Sequence, residues 1–431
     1  MLARLVILGS LLAVGSGAGG GLTAAHPCPG QPGYTCSTLR VPLDHTGRRP
    51  GTLALQVATA NNANAPRGDL LLLAGGPGQA GVPLLDRVPR ILGAELRDYR
   101  VVVFDQRGTG AGALNCAAMQ AAMGSSDLFP PPAAAVRACT AKLGDRRQFF
   151  GSDDVVADME SLRAALGVKT WVVDGISYGT YVAERYALAH PTHVSKIVLD
   201  SVVPHEGEFD LGLDEFRATT RVLNDACGCA ADLAAAVKRY DAGPALFDAV
   251  TFLSIADPTF MSMFKLPEVL RDQRQLEQML ALVRSYEQTP ASSLDQGLHA
   301  SALCADWRYP WGDSAAPLAG RTSKLAAAVA KLPANSLYPY NRRTARDNGI
   351  VQQCLPWAPT AATPAPRGKI RVPSLLLAGS HDLSTPLEWA RKELALTTRG
   401  TLVVVPGAGH SVQSRAQSEI GRSAVARFLL G

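Results

Sequence analysis

Gly175-Ile176-Ser177-Tyr178-Gly179 is the stretch that decides how this chain is read. Just before it, Thr170-Trp171-Val172-Val173-Asp174 has the composition of a buried strand, and residues 181–190 just after it read as a helix. Strand, Ser between two glycines, then helix is the order that a nucleophile elbow requires. The turn is tight enough to strain the Ser backbone, and a side chain two positions before or after it would crowd the turn. Such a turn holds the Ser hydroxyl proud of the sheet, with a backbone N–H and a helix N-terminus beside it. The pentapeptide alone recurs by chance; its strand and helix neighbours give it weight.

Working outward, six short runs rich in Val, Leu and Ile read as buried parallel strands: residues 70–74, 101–104, 171–174, 197–200, 374–378 and 401–405. Residues 38–43 and 53–59 read as an antiparallel hairpin leading in. Between strands lie helical patterns, the clearest over 153–166. There Val155, Met159, Leu162 and Leu166 share a face, Ser152 is placed to cap, and Asp153 and Asp154 sit at the positive end of the dipole. Alternating strands and helices predict an α/β fold with a mostly parallel central sheet. The alternation breaks over 204–372, too long for a crossover, and that segment reads as an inserted, mainly helical lid with helical patterns at 268–286 and 321–332. The core is thus expected in two parts, 26–203 and 373–431, with a smaller insertion over 111–150.

A nucleophilic Ser needs a base, and the base needs an orienting carboxylate. With a nucleophile elbow the chain order is Ser, acid, His. Asp382 follows one predicted strand in Gly379-Ser380-His381-Asp382, and His410 follows the next in Gly407-Ala408-Gly409-His410. Both emerge at the carboxyl edge of the sheet, the same edge as Ser177, where ligands of open α/β sheets collect. His381 is a rival base, disfavoured because neighbours in sequence cannot easily turn toward each other. His45, His190, His193, His205 and His299 read as surface or structural residues. The oxyanion needs two backbone donors. Tyr178 N–H is one, and Gly75 or Gly76 in Leu73-Ala74-Gly75-Gly76-Pro77-Gly78 is the other. That loop lacks the Lys-Ser/Thr ending of a phosphate loop. Asp105 and Arg107, in Phe104-Asp105-Gln106-Arg107-Gly108-Thr109-Gly110, read as braces for the site loops.

Of 431 residues, 47% are apolar and 18% charged, which suits one large domain or a domain with an insert. The net charge of +5 is scattered, so no nucleic-acid partner is expected. Residues 1–25 read as a signal peptide: Arg4, apolar runs at 5–8 and 11–14, a Gly-rich stretch, then Thr23-Ala24-Ala25. The apolar run is short for a membrane span, so stable membrane insertion is not expected and a secreted or periplasmic protein is. The alternative weighed is an uncleaved anchor. All eight cysteines follow the leader, and proximity suggests Cys28–Cys36, Cys116–Cys139, Cys227–Cys229 and Cys304–Cys354, although sequence leaves the connectivity open. Cys227-Gly228-Cys229 has no His or second Cys pair at ligand spacing, so no metal and no cofactor are expected. The oligomeric state is not legible.

Taken together, Gly75 to Gly78, Phe104 to Gly110, Gly175 to Thr180, Asp382 with Thr385-Pro386, and Gly407 to His410 resemble the α/β-hydrolase serine aminopeptidases. These include proline iminopeptidases and, more closely, secreted bacterial tripeptidyl aminopeptidases. Val41-Pro42-Leu43-Asp44 and Cys304-Ala305-Asp306-Trp307 are similar to the secreted branch. Proline iminopeptidases usually carry His before Gly-Gly-Pro-Gly, where this chain has Ala74. The resemblance implies an α/β-hydrolase fold and an exopeptidase acting through an acyl-enzyme on Ser177, releasing short peptides, tripeptides above all, from free N-termini. Such an enzyme must bind a peptide's ammonium with carboxylates, for which Glu206, Glu208, Asp210 and Asp306 are the candidates. The alternatives are a carboxylesterase or lipase with the same triad, a proline iminopeptidase, and a non-catalytic homologue, since fold does not decide substrate.

Overall fold

The apolar runs assemble into one nine-stranded sheet in a computed structural model, which describes residues 21–260, 265–364 and 366–431. Residues 1–20 of the expected leader lie outside the described residues. The strands are β1 (Thr23–Cys28), β2 (Gln31–Pro42), β3 (Thr52–Ala60), β4 (Asp69–Leu73), β5 (Arg100–Phe104), β6 (Trp171–Ile176), β7 (Val194–Asp200), β8 (Ser374–Gly379) and β9 (Gly400–Val405). They lie in the order β1-β2-β3-β5-β4-β6-β7-β8-β9. The first three are antiparallel and β3 joins β5 antiparallel; from β5 to β9 every pairing is parallel.

All six predicted parallel strands are present, as is the β2–β3 hairpin. Strand β1 was not foreseen, and Thr23 to Ala25 fall inside the expected leader. Because side chains alternate across a strand, β4 feeds both cores. Leu71 and Leu73 pack with Met159, Tyr181 and Val182 on one face, and Leu70 and Leu72 pack with Val88, Ile91 and Val425 on the other. After β4 the chain moves to β5 on one side, then returns to β6 on the other. The loops after β4 and β6 therefore flank a switch point, where open α/β sheets form their crevice.

The helix Ser152–Ala165 corrects one expectation. Gly151, not Ser152, holds the N-cap position, and Ser152 starts the helix with its hydroxyl unpartnered. The capping acceptor comes from elsewhere in the chain: the Asp306 carboxylate takes the Ser152 N–H at 3.1 and 3.2 Å. Between β7 and β8 the named elements among the described residues are all helices. The pattern over 268–286 divides into Leu266–Val269 and Gln273–Glu287, because the Asp272 side chain accepts the Gln275 amide at 2.9 Å and caps the second helix. The pattern over 321–332 becomes Arg321–Lys331.

The four cysteine pairings suggested by proximity are the ones formed, and no cysteine is free among the described residues. Cys304–Cys354 ties two helices of the insertion across 50 residues of chain. No described helix is long and apolar enough to cross a membrane.

Candidate active site

Ser177 follows β6 directly and stands at φ 57°, ψ −127°, with the helix Tyr178–Ala189 starting at the next residue. A β-carbon there costs about 1–3 kcal/mol and persists only where the surroundings hold it. What holds it is a very close turn. A Cβ on Gly175 would stand 2.4 Å from Gly179 O, and one on Gly179 would stand 2.7 Å from Leu73 O. Ser177 N–H donates to Asp200 O at 2.8 Å, and the Thr180 hydroxyl donates to Ser177 O at 2.7 Å.

The loop after β4 lies against this Ser. A Cβ on Gly75 would come within 2.8 Å of Ser177 Cβ and 3.0 Å of Ile176 O, so only Gly fits. Gly78 packs as closely on the insertion, where a Cβ would meet Asp295 O at 2.5 Å. Gln106 Nε2 steadies the loop by donating to Ala74 O at 3.2 Å.

His410 and Asp382 come together as the sequence predicted. His410 Nδ1 lies 2.9 Å from Asp382 Oδ2. Asp382 is fully buried and also accepts from Ser384 N at 2.9 Å, Thr385 N at 3.0 Å and Thr385 Oγ1 at 2.8 Å. Burial alone would raise its pKa. The His410 charge and these hydrogen bonds outweigh burial and hold the carboxyl below its ordinary value. For His410, burial disfavours the imidazolium, but the Asp382 charge and hydrogen bond prevail and raise its pKa above the ordinary value. The rival His381 points elsewhere, its ring nitrogens facing Pro258 O at 2.8 Å and Asp225 Oδ2 at 2.6 Å.

Sequence reasoning missed the residues that aim the His410 loop. Asp200, at the end of β7, accepts Val412 N at 2.9 Å and Gln413 N at 2.8 Å, while Ser201 Oγ accepts Ser411 N at 2.8 Å. Gln413 Nε2 donates to Asp174 at 3.0 Å. Burial raises Asp200 to about 6 and Asp174 to about 8. Asp105 and Arg107 brace as expected. Asp105 accepts Val82 N at 2.8 Å. Arg107, fully buried, forks onto Asp158 at 2.6 Å and caps Leu43 O and Phe149 O.

A cavity of about 420 Å³ opens over Ser177, lined by Gly75, Gly76, Tyr178, His410 and Thr385 on the sheet side. That is an ordinary size for a small-molecule or peptide site. The carboxylates proposed for it stand elsewhere. Glu206 and Glu208 are exposed and do not line it. Asp210 accepts the amides of Gly212, Leu213 and Asp214 at 3.1 Å. Asp306 is buried beneath the site, accepting the Tyr178 hydroxyl at 2.7 Å as well as Ser152 N–H. Glu215, Asp248 and Glu287 line the cavity instead, all three nearly inaccessible. Glu215 Oε2 has no partner, and burial with the Asp210 charge pushes its pKa well up. Burial raises Asp248 to about 6 and, with the Asp248 charge, Glu287 to about 8, even with Arg284 bonded to Glu287. One signal was readable: Asp248 is the sole charged residue in the otherwise apolar helix Gly243–Ala256.

Two groups of described residues bring three potential metal ligands together. In Glu160, His190 and His193 the carboxylate already serves Arg163, Tyr186 and His193. In Glu184, His205 and Glu393, all buried, His205 Nδ1 bonds Glu393 at 2.9 Å. Burial and the Glu393 charge raise the Glu184 pKa well above its ordinary value. Neither group lines the cavity.

Residues 70–218 match the family described as alpha/beta hydrolase fold, and residues 338–431 match the family described as TAP-like protein. The chain is 27% identical over 188 residues to the tripeptidyl aminopeptidase of Streptomyces lividans, a match covering 39% of this chain and 35% of that one. It is 32% identical over 132 residues to the probable proline iminopeptidase of Streptomyces coelicolor, covering 31% and 32%. The matched stretch thus spans about a third of each relative's length. A solved proline iminopeptidase from Mycobacterium smegmatis superposes with a TM-score of 0.44 at 17% identity, over 91% of this chain and 98% of that one.

Proposed function

Because the chain belongs to the α/β-hydrolase fold family, we propose that it is an exported serine exopeptidase that releases short peptides, tripeptides above all, from free N-termini. One observation carries the reading: the cavity over Ser177 and His410 is walled by three buried carboxyl groups, Glu215, Asp248 and Glu287. Asp248 and Glu287 share Arg284, but Glu215 Oε2 has no partner, a costly state for a buried acid that a bound ammonium would relieve. The names of the tripeptidyl aminopeptidase and proline iminopeptidase relatives point the same way. Four disulfides support an oxidising compartment, and with it export.

In this mechanism Ser177 Oγ attacks the scissile carbonyl while His410 takes its proton. Asp382 fixes the ring through Nδ1, leaving the other nitrogen for Ser177, and stabilises the imidazolium. The oxyanion settles against Tyr178 N–H and an N–H of Gly75 or Gly76, each donor contributing about 3–4 kcal/mol. The tetrahedral intermediate collapses as His410 passes the proton to the leaving amine. Water, activated by the same His410, then frees the acyl-enzyme.

The test is a panel of free and N-acetylated mono-, di- and tripeptide reporters, run on the wild type and Ser177→Ala. Acetylation is expected to lower kcat/KM at least ~30-fold, the ~2 kcal/mol or more that leaving a buried charge unpaired costs. Equal turnover of blocked and free peptides would refute the reading. The apolar lining, with Leu84, Ile91, Trp307 and Trp389, would also suit the acyl chain of an ester. A carboxylesterase on this triad would be indifferent to acetylation and would cleave p-nitrophenyl esters in preference to peptides.

A further inference from the structure

The leaving group of an acyl transfer at Ser177 has to lie at His410, which returns the proton to the departing nitrogen. From His410 the chain passes through Ser411 into the short helix Val412–Arg415, and a second cavity opens along this segment. It shares His410, Ser414 and Arg415 with the cavity over Ser177. The two cavities thus adjoin at His410, on the side where a leaving fragment would lie.

Arginines line both cavities. Arg415 lines both cavities, Arg87 lines the first and Arg90 the second. Arg90 donates to Ala416 O at 3.3 Å. Arg87 and Arg415 are both exposed, and among the described residues their guanidinium groups have no hydrogen bond or ion pair. Desolvation and the nearby Arg87 charge lower the Arg415 pKa, and Arg415 in turn weighs against protonation of His410. Arg87 and Arg415 thus share the wall of the cavity over Ser177 with His410. Asp257 is the one acid among the described residues lining the second cavity, and it accepts the Thr259 hydroxyl at 2.5 Å. The buried acids of the first cavity, Glu215, Asp248 and Glu287, come from helices between β7 and β8, and Asp127 also lines it; the arginines come from short helices after β4 and β9.

We propose that Arg415 and Arg87 form a carboxylate subsite on the leaving-group side, so that the preferred substrate is a short peptide held at both ends: its ammonium by the buried acids, a carboxylate of the leaving fragment by the arginines. The proposal rests on the exopeptidase reading above. Guanidinium suits the task, because its planar fork meets a carboxylate with two parallel hydrogen bonds. The carboxylate has two possible sources, the peptide's C-terminus and an acidic side chain near the cleaved bond.

Three peptide series test it, all sharing one N-terminal tripeptide and carrying leaving fragments of one, two or three residues. The first ends in a free acid, the second in the amide, and the third is the amide with Glu in the leaving fragment. Values of kcat/KM are measured for the wild type, Arg415→Gln and Arg87→Gln, and the acid-to-amide ratio within each variant is the readout. The wild type is expected to favour one carboxylate-bearing series over the amide by about tenfold or more at one fragment length. Either substitution should bring that ratio toward one. A preference for the free acid names the C-terminus as source, and one for the Glu amide names the side chain. Equal cleavage of all three series at every length would overturn the subsite while leaving the exopeptidase reading standing. An unchanged ratio in both variants would overturn it too. Sensitivity to N-acetylation, measured alongside, reports separately on the exopeptidase reading.

Discussion

At Asp382 the local structure and the chemistry are the same fact. Its carboxylate takes two amides and a hydroxyl from the turn after β8, and that turn leaves Oδ2 aimed at His410 Nδ1. Its depressed pKa and the raised pKa of His410 set the pH response. Catalysis needs His410 neutral, so kcat/KM should fall as pH drops through the His410 pKa, and the midpoint of that acid limb should lie above the ordinary 6.5. Asp382→Asn removes the charge that favours the imidazolium. Its limb should move to lower pH and its plateau should drop about 10⁴-fold. A pH–rate profile of both proteins checks this; an unmoved limb would contradict it. Ser177, Asp382 and His410 were legible because each follows a strand whose apolar run marks its own end. Glu215, Asp248 and Glu287 were not, because what singles them out is burial against one cavity, and several helices must be assembled before that cavity exists. Glu206 and Glu208, which the resemblance suggests instead, are exposed.

Among the elements, Asp306 shows how the insertion and the core depend on each other. It closes the insertion helix Gln296–Asp306, yet its carboxylate caps the core helix Ser152–Ala165 and accepts the hydroxyl of Tyr178, the residue after the nucleophile. Its pKa is raised by burial, with the Arg185 charge pulling the other way. Asp306→Ala leaves the Ser152 amide and the Tyr178 hydroxyl unpartnered. It should cost about 1–3 kcal/mol of stability, read as a lower midpoint in urea, with reduced kcat as the elbow loosens. A variant as stable and active as the wild type would show that other groups hold this junction. Periodicity predicted the core strands and the helix Ser152–Ala165 because their packing partners are near in sequence. It could not predict that helix's cap, which arrives from 154 residues away. The break between Leu266–Val269 and Gln273–Glu287 escapes periodicity for a related reason: residues 268–286 form one continuous helical pattern in sequence, and in the structure Asp272 caps a new helix.

Across the whole molecule, charge is sorted by burial. The interior holds several acids with raised pKa values, among them Asp174, Asp200 and Glu184. Glu184, on the elbow helix, has both oxygens unpartnered and Glu393 for a neighbour. Its folded pKa lies well above the ordinary 4.5, so the folded state holds the proton more tightly than the unfolded one does. Stability from this group is therefore fully present below pH 4.5 and declines as pH rises above it. Glu184→Gln removes that titration. The variant should gain on the wild type in thermal midpoint between pH 5 and pH 9, as scans across that range would reveal. A difference that does not change with pH would contradict a protonated Glu184. Nothing in the sequence marks this acid, which sits in a helix whose neighbours are also mostly apolar. The large-scale plan was readable: a mostly parallel sheet, helices between β7 and β8, and disulfides between nearby cysteines.

On the proposed function, Ser177 attacks beside a pocket built for a free amine. The most direct measurement is fluorophosphonate labelling of the mature protein, mapped by peptide mass spectrometry, with a competing tripeptide whose amine is free or acetylated. A single adduct is expected, on Ser177, formed more slowly in the presence of the free tripeptide and at an unchanged rate with the acetylated one. An adduct on another residue, or equal protection by both tripeptides, would contradict it.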